Sequence, residues 1–260
     1  MCRVLGYIGP GIQLDRLLYK PEHSLIVQSY QPREMTSGVV NADGFGVGWY
    51  HQARETEPFI YKNTLPIWSD INLPHVSRYV ESGCVLGSIR SATVGQAVDL
   101  SNCPPFGWGQ LLGVHNGFIE RFRSSVGREM RDRLTHTTEA RISGTTDSEY
   151  IIALVMDNYH TSGNLTEAVH TTLTTLTELA NTHQVRIAAN LILSDGEQLV
   201  ASRFATTAPA PSLYWLRDDP TFPGGMIIAS EPLFAAEWHS FPESSISTVG
   251  ANLDIHIQNL

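Results

Sequence analysis

The sequence is poor in cysteine and in cationic side chains, and it has no long apolar run. Among 260 residues there are three cysteines, Cys2, Cys84 and Cys103. They are odd in number, widely spaced and free of any CxxC pair. That excludes a disulfide framework and fits reduced thiols in a cytosol. Lys and Arg number 17 against 26 Asp and Glu, for a formal net charge of −9, with no basic cluster. Nucleic acid and anionic membrane are therefore not expected as partners. No apolar stretch approaches the ~18 residues of a membrane span. The polar Cys2-Arg3 and the Gly9-Pro10-Gly11 that follows are unlike a signal peptide. The ten histidines are scattered without HExxH or HxH spacing, so no metal is expected, and no other cofactor either.

What is present reads as strands, then helices, then strands. Arg3 to Ile8 is a short apolar strand, ended by Gly9-Pro10-Gly11. Leu14, Leu17 and Leu18, then Leu25 to Ser29, have helical spacing, stopped by Pro21 and Pro32. Phe45, Val47 and Trp49 alternate with Gly44, Gly46 and Gly48. The bare face suits a close approach by another backbone, by a ligand, or by a tightly packed element. Phe59 to Lys62 is a partner strand, 69–81 a helix closed by Gly83, Cys84 to Ile89 a strand. Leu111 to His115 is a further strand, ending at Asn116-Gly117. Residues 120–146 are polar and irregular, which suggests a mobile loop plus helix over a site. Thr146 and Glu149 form a capping box before a helix carrying Ile151, Ile152, Val155 and Met156. A second helix over 165–181 has threonines outward, mediocre helix formers. Ile187–Leu193 and Gln198–Ser202 flank the hairpin signal Asp195-Gly196. Strands at 213–216, 226–229 and 253–257 complete the chain. The pattern predicts one α+β layered domain spanning 2–260.

Five positions could carry chemistry. If Met1 is removed, Cys2 bears both a thiol and a free α-amine. A free thiol is only a few per cent ionised at neutral pH. An α-amine of pKa about 7.7–8.0 beside a thiol of about 8.5 can serve as its general base. Arg90 ends an apolar strand and could grip a carboxylate with two parallel hydrogen bonds, or form a structural salt bridge. In His115-Asn116-Gly117, the Asn116 side-chain N–H and the Gly117 backbone N–H could form an oxyanion hole. Each such donor is worth roughly 2.7–4 kcal/mol; the alternative is a plain turn. His115 reads as a packed strand residue, Cys84 as buried filling and Cys103 as a loop residue. Asp147 stabilises a helix start by about 0.3–1 kcal/mol, and could also hold an ammonium group. Together these residues describe one ligand: an amino acid with free α-carboxylate and α-amine and an amide at its side-chain end, a γ-glutamyl group.

Cys2, the Arg90-x-x-Thr93 motif, His115-Asn116-Gly117 and Thr146-Asp147-Ser148-Glu149 resemble the class II glutamine amidotransferase domain, an N-terminal-nucleophile hydrolase. The likeness covers roughly 2–160 and extends weakly to Ser230-Glu231-Pro232. The Met-Cys-Arg-x-Leu-Gly start, Ser24-Leu25 to Gln28-Ser29, and Asn41 to Tyr50 are similar to the stand-alone hydrolase branch of ergothioneine biosynthesis. The resemblance implies a four-layer αββα sandwich of two mainly antiparallel sheets. It implies Cys2 as nucleophile and Asn116 and Gly117 as oxyanion hole. It also implies Arg90 on the glutamyl carboxylate, Asp147 on its amine and Thr93 lining the glutamyl pocket. The implied activity is hydrolysis of a γ-glutamyl amide in a small molecule, through a thioester. A glutaminase subunit feeding a separate synthase and a non-catalytic domain of the same fold are the alternatives, and self-association is left open. Ser91 and Val94 replace an aromatic and a His of synthase-linked members, and Asn41-Ala42-Asp43-Gly44 replaces a His-Arg-Gly segment. These departures point away from ammonia delivery. A cationic leaving group could sit on Trp49, Trp68 or Trp108.

Overall fold

A computed structural model describes residues 2–35, 38, 40–51, 53–93 and 95–260. In chain order the strand β1 (Arg3–Gln13) leads into the helices α1 (Asp15–Leu18) and α2 (Leu25–Tyr30). The hairpin β2 (Phe45–His51) and β3 (Glu55–Asn63), helix α3 (Leu73–Tyr79) and strand β4 (Glu81–Ile89) follow. Next come β5 (Phe106–Trp108), β6 (Leu111–Ile119), and the helices α4 (Gly127–Asp132), α5 (His136–Glu139), α6 (Asp147–Ser162) and α7 (Leu165–His183). The chain closes with β7 (Ile187–Ser194), β8 (Leu199–Arg203), β9 (Tyr214–Arg217) and β10 (Met226–Ala229). After them stand β11 (His239–Ser240), β12 (Ser245–Val249) and β13 (Ile255–Asn259).

The strands form two antiparallel sheets, ordered β11-β9-β10-β1-β4-β2-β3 and β13-β12-β8-β7-β6-β5. Three cores separate four layers. Leu5, Tyr7, Phe45, Val47 and Val85 pack on the α1 and α2 leucines Leu17, Leu18 and Leu25. Val4, Leu86, Leu112, Val114, Ile192 and Ile228 fill the space between the sheets. Ile151, Val155, Val169, Leu176, Leu191 and Leu193 join the second sheet to α6 and α7. Both sheets are thus buried on both faces, which is why β1, β4 and β7 read as nearly unbroken apolar runs. Each fully buried Leu or Ile contributes roughly 1.5–3 kcal/mol. The expected αββα sandwich is this arrangement.

Several local expectations are corrected. β1 does not stop at Gly9-Pro10-Gly11 but passes through them with a register shift against β4 between Ile8 and Ile12. The helix expected over 69–81 is only α3; Ile71 is exposed, and β4 takes over at Glu81. The bare glycine face of β2 holds protein, not ligand. A side chain at Gly44 would strike Cys103 Sγ, at Gly46 the Pro104 carbonyl, and at Gly48 the Leu112 side chain. Residues 120–146 contain the expected helical part, α4 and α5, but pack onto the helical core and are not a loose loop. Val126, Met130 and Leu134 are buried in the helical core, and Asp157 of α6 accepts bonds from the Thr135 N–H (2.6 Å) and hydroxyl (2.7 Å). On α7, threonine hydroxyls bond carbonyls four residues back, Thr172 to Ala168, Thr174 to His170 and Thr177 to Leu173; such bonds do not strengthen a helix, and α7 is held by Val169, Leu173, Leu176 and Leu179 in the helical core. Among the described residues no helix is long and apolar enough to cross a membrane.

Candidate active site

The site gathers at one end of the space between the two sheets. Arg3 pairs with Ile89 and Phe45 also pairs with Ile89, so the antiparallel register brings Cys2 alongside Arg90. Side chains alternate along a strand. Val4 and Leu86 face the inter-sheet core, whereas Leu5 and Ile89 face the outer one. Cys2 and Arg90 therefore share the inter-sheet face. On the opposing sheet Leu112 and Val114 face the same core, which puts Asn116 of β6 there as well. A hydrogen-bonded link closes the gap. Ser230 Oγ accepts from the Val4 N–H at 3.0 Å and from Asn116 Nδ2 at 3.4 Å. Cys2 is a half-buried free thiol. The free α-amine expected of it depends on loss of Met1, which lies outside the described residues.

Arg90 is 3 % exposed. Its Nη1 donates to the Asp43 carbonyl (3.2 Å) and its Nη2 to Gln96 Oε1 and the Ala97 carbonyl (both 3.2 Å). Its backbone is locked to the turn before β2 by Arg90 N–H to Gly44 O (2.8 Å) and Asp43 N–H to Arg90 O (3.1 Å). Asp43 itself accepts from the Ala92 N–H at 2.8 Å. Every acceptor on the guanidinium is neutral. Among the described residues no carboxylate forms an ion pair with it, so the structural salt bridge considered from sequence is absent. Thr93 is exposed in the turn that Arg90 gathers, where its carbonyl accepts from Gln96 N–H. Val94 lies outside the described residues.

Asn116-Gly117 is not a turn; β6 continues to Ile119. Asn116 is fully buried, and its Oδ1 has no partner among the described residues. Glu120 N–H bonds to Arg186 O on the β7 side, while Ile119 N–H points the other way, to Asp147 Oδ2 at 2.7 Å. By the same alternation the Gly117 N–H faces the Asp147 edge, away from β7. Glycine is required here, because a Cβ would run into the Ala188 carbonyl and the His115 ring. His115 lies on the face opposite to Asn116. Burial pushes its pKa down, against the Asp147 charge and the Ala188 hydrogen bond, and the ring is neutral at pH 7. A carbonyl can only accept, so Nε2 carries the proton toward Ala188 O (3.1 Å), and Nδ1 accepts from Ser148 Oγ (2.8 Å). It is a packed strand residue.

Asp147 opens α6, is 8 % exposed, and also accepts from Ser148 N–H at 3.0 Å. The capping box is half formed. Thr146 Oγ1 accepts from Glu149 N–H at 3.3 Å, but the Glu149 carboxylate turns to the Ser143 and Gly144 N–H groups (2.9 and 2.7 Å). The other two thiols are set apart by burial. It pushes Cys84 up to about 12, despite the Ser194 hydroxyl at 3.1 Å. It also raises Cys103, against the Arg90 and Lys62 charges. Of the three tryptophans, Trp49 borders the outer core and lies tilted against the exposed Phe59, Trp108 borders the helical core, and Trp68 is exposed edge-on to Tyr30.

Three residues were missed from sequence. Ser230 and Glu231 were noted only as a weak likeness, yet Glu231 accepts from Arg3 Nη1 (3.2 Å) and His23 Nε2 (2.7 Å). Asn102, which no motif marks, donates to the Ala97 carbonyl (3.1 Å) that holds Arg90, and accepts from Thr145 N–H (2.8 Å) beside Asp147. The arrangement can hold a carboxylate at Arg90, offer N–H donors at Asn116 and Gly117, and present the Cys2 thiol on the same inter-sheet face.

The family model for class II glutamine amidotransferases matches residues 20–222. A protein of Mycolicibacterium smegmatis named gamma-glutamyl-hercynylcysteine sulfoxide hydrolase is 30% identical over 89% of this chain and 88% of its own length. Its namesake in Mycobacterium tuberculosis is 40% identical, but the match spans 46% of this chain and about half (51%) of that protein. The yeast "Probable glutamine amidotransferase DUG3" is 29% identical over 96% of this chain and 82% of its own length. Among solved structures, a glutamine aminotransferase class-II domain protein of Silicibacter pomeroyi has a TM-score of 0.73 at 23% identity, covering 100% of this chain and 99% of that one. The glutamine phosphoribosylpyrophosphate amidotransferase of B. subtilis has a TM-score of 0.65 at 13% identity, with 99% of this chain covered and 49% of the other. By its family match and its relatives, this chain belongs to the class II glutamine amidotransferases.

Proposed function

We propose that the protein hydrolyses a γ-glutamyl amide bond, with Cys2 as nucleophile once Met1 is removed. The neutral Cys2 amine takes the thiol proton, and the thiolate attacks the γ-carbonyl carbon. Asn116 Nδ2 and the Gly117 N–H hold the oxyanion. The bond to the leaving nitrogen breaks as the amine returns the proton to it. Water then hydrolyses the thioester, releasing glutamate and the thiol. Arg90 binds the α-carboxylate, Asp147 the α-amine, and Thr93 borders the glutamyl group. The observation that carries this reading is the buried Arg90 guanidinium with only neutral acceptors, on the same inter-sheet face as Cys2 and Asn116.

The substrate is γ-glutamyl-hercynylcysteine sulfoxide, cleaved to hercynylcysteine sulfoxide and glutamate in ergothioneine biosynthesis, as the names of the bacterial relatives suggest. The yeast relative's name keeps a second reading in play, a glutaminase serving a separate synthase. A panel of γ-glutamyl amides with mass-spectrometric readout separates them. The hydrolase reading expects the sulfoxide conjugate to turn over far faster than glutamine. Preference for glutamine, stimulated by a partner protein, overturns it. Inserting Ala between Met1 and Cys2 should abolish turnover with the fold intact, and full activity there rules out the amine as base.

A further inference from the structure

Arg3 follows the nucleophile in sequence yet faces the opposite side of the sheet, in the layer beneath α2. It is fully buried, and its Nε and Nη2 have no partner among the described residues. Its sole ion-pair partner among the described residues is Glu231, just past β10, which is also fully buried. Glu231 Oε1 accepts from Arg3 Nη1 (3.2 Å) and the Glu34 N–H (3.0 Å). Oε2 accepts from His23 Nε2 (2.7 Å) and the Arg33 N–H (2.8 Å). Four donors converge on one carboxylate from the β1 start, the approach to α2 and the segment after it. The residue before it, Ser230, takes the Val4 N–H with its side chain and gives its own N–H to the Val4 carbonyl at 3.0 Å.

We propose that Glu231 is a positioning residue for Cys2: it fixes the first residues of β1 through Arg3 and neutralises the buried cation on the residue that follows the nucleophile. The idea rests on Cys2 being the nucleophile. A chain terminus has no preceding covalent anchor, so its reactive atoms are placed only by what grips the next residues. Glu231 and Ser230 grip both of them. The charged and titratable groups around this point are Arg3, Glu231, His23, Glu34 and Tyr214 on the outer side, and Arg90 and Cys103 on the inter-sheet side. Burial alone would raise the Glu231 carboxyl. The bonds from His23, Arg33 and Glu34 and the Arg3 charge outweigh it, and the group is held below its ordinary value as an anion. Without that anion Arg3 stands uncompensated next to Cys2, and a nearby cation favours both thiolate and neutral amine.

The test compares Glu231→Gln, Arg3→Met and the double variant Arg3→Met/Glu231→Gln, reading kcat/KM against pH and the pH dependence of Cys2 alkylation by iodoacetamide. Glu231→Gln should lower kcat at least tenfold with KM little changed, and move the acidic limb of both profiles down by about half a pH unit or more. Arg3→Met leaves the anion and should move the limb up. The double variant, neutral on both sides, should return the limb to its original place; a buried pair exchanged as a unit is commonly tolerated. If Glu231→Gln fails to fold, the other two variants still decide. Unmoved limbs in all folded variants would overturn the proposal while Cys2 stays essential. Retained turnover in Cys2→Ala would instead overturn the nucleophile itself.

Discussion

Arg3 and Arg90 sit at the same end of neighbouring strands and are both buried, but their surroundings differ in kind. Arg3 faces the outer layer and has a carboxylate at 3.2 Å. Arg90 faces the space between the sheets and has only carbonyl and amide oxygens. Removing a cation from water costs several kcal/mol, which a fixed anion offsets in part. At Arg3 the fold supplies that anion itself. At Arg90 it stops short, providing three bonds that aim the guanidinium and leaving the countercharge to a ligand. The contrast separates a side chain whose charge is answered within the fold from one left open for the substrate carboxylate proposed above.

The largest effect should come from breaking the closed pair. Glu231→Ala leaves Arg3 buried and unpaired and should cost roughly 3–5 kcal/mol of stability, measured by urea denaturation; a loss below 1 kcal/mol would erase the distinction. Arg90→Met should do the reverse. Stability stays level or rises, since no internal ion pair is lost. Meanwhile kcat/KM falls by about 1.5–3 kcal/mol, the worth of hydrogen bonds to a charged group. That is roughly a 10- to 150-fold loss.

Acid sharpens the same comparison. Glu231 is held below its ordinary pKa, so its contribution is complete above the unfolded value of about 4.3. It is lost as pH falls through the lower folded value. Glu231→Gln should remove this acid-induced step from a stability-against-pH curve, and Arg90→Met should retain it. The smallest effect is expected at the link between the sheets. Ser230→Ala removes bonds to Val4 N–H and Asn116 Nδ2 and should cost about 1 kcal/mol of stability, with a fall in kcat larger than any change in KM. A pure KM effect would show that Ser230 does not orient Asn116.

Much of this was legible in the chain. The runs Val4–Ile8, Val85–Ile89 and Ile187–Leu193 announced strands buried on both faces, and Asp195-Gly196 marked the β7–β8 turn. Where reading failed, a tertiary contact had overridden a local signal. Asn116-Gly117 looks like a turn, but β7 pairs with it through to Ile119. Gly44, Gly46 and Gly48 left open a ligand or a closely packed element, and the 103–105 segment and Leu112 supply the packing. Asn102 and Glu231 carried no usable local signal, because their partners lie 43 and 228 residues away.

The sequence by itself determined which residue types could do the chemistry and which faces would be apolar, because both follow from side-chain identity and short-range periodicity. It could not determine which buried charge would be answered from within. That was decided by the packing of two sheets, where strand register set Arg3 against Glu231 and left Arg90 between the sheets, since an ion pair depends on separation in space and not on separation along the chain.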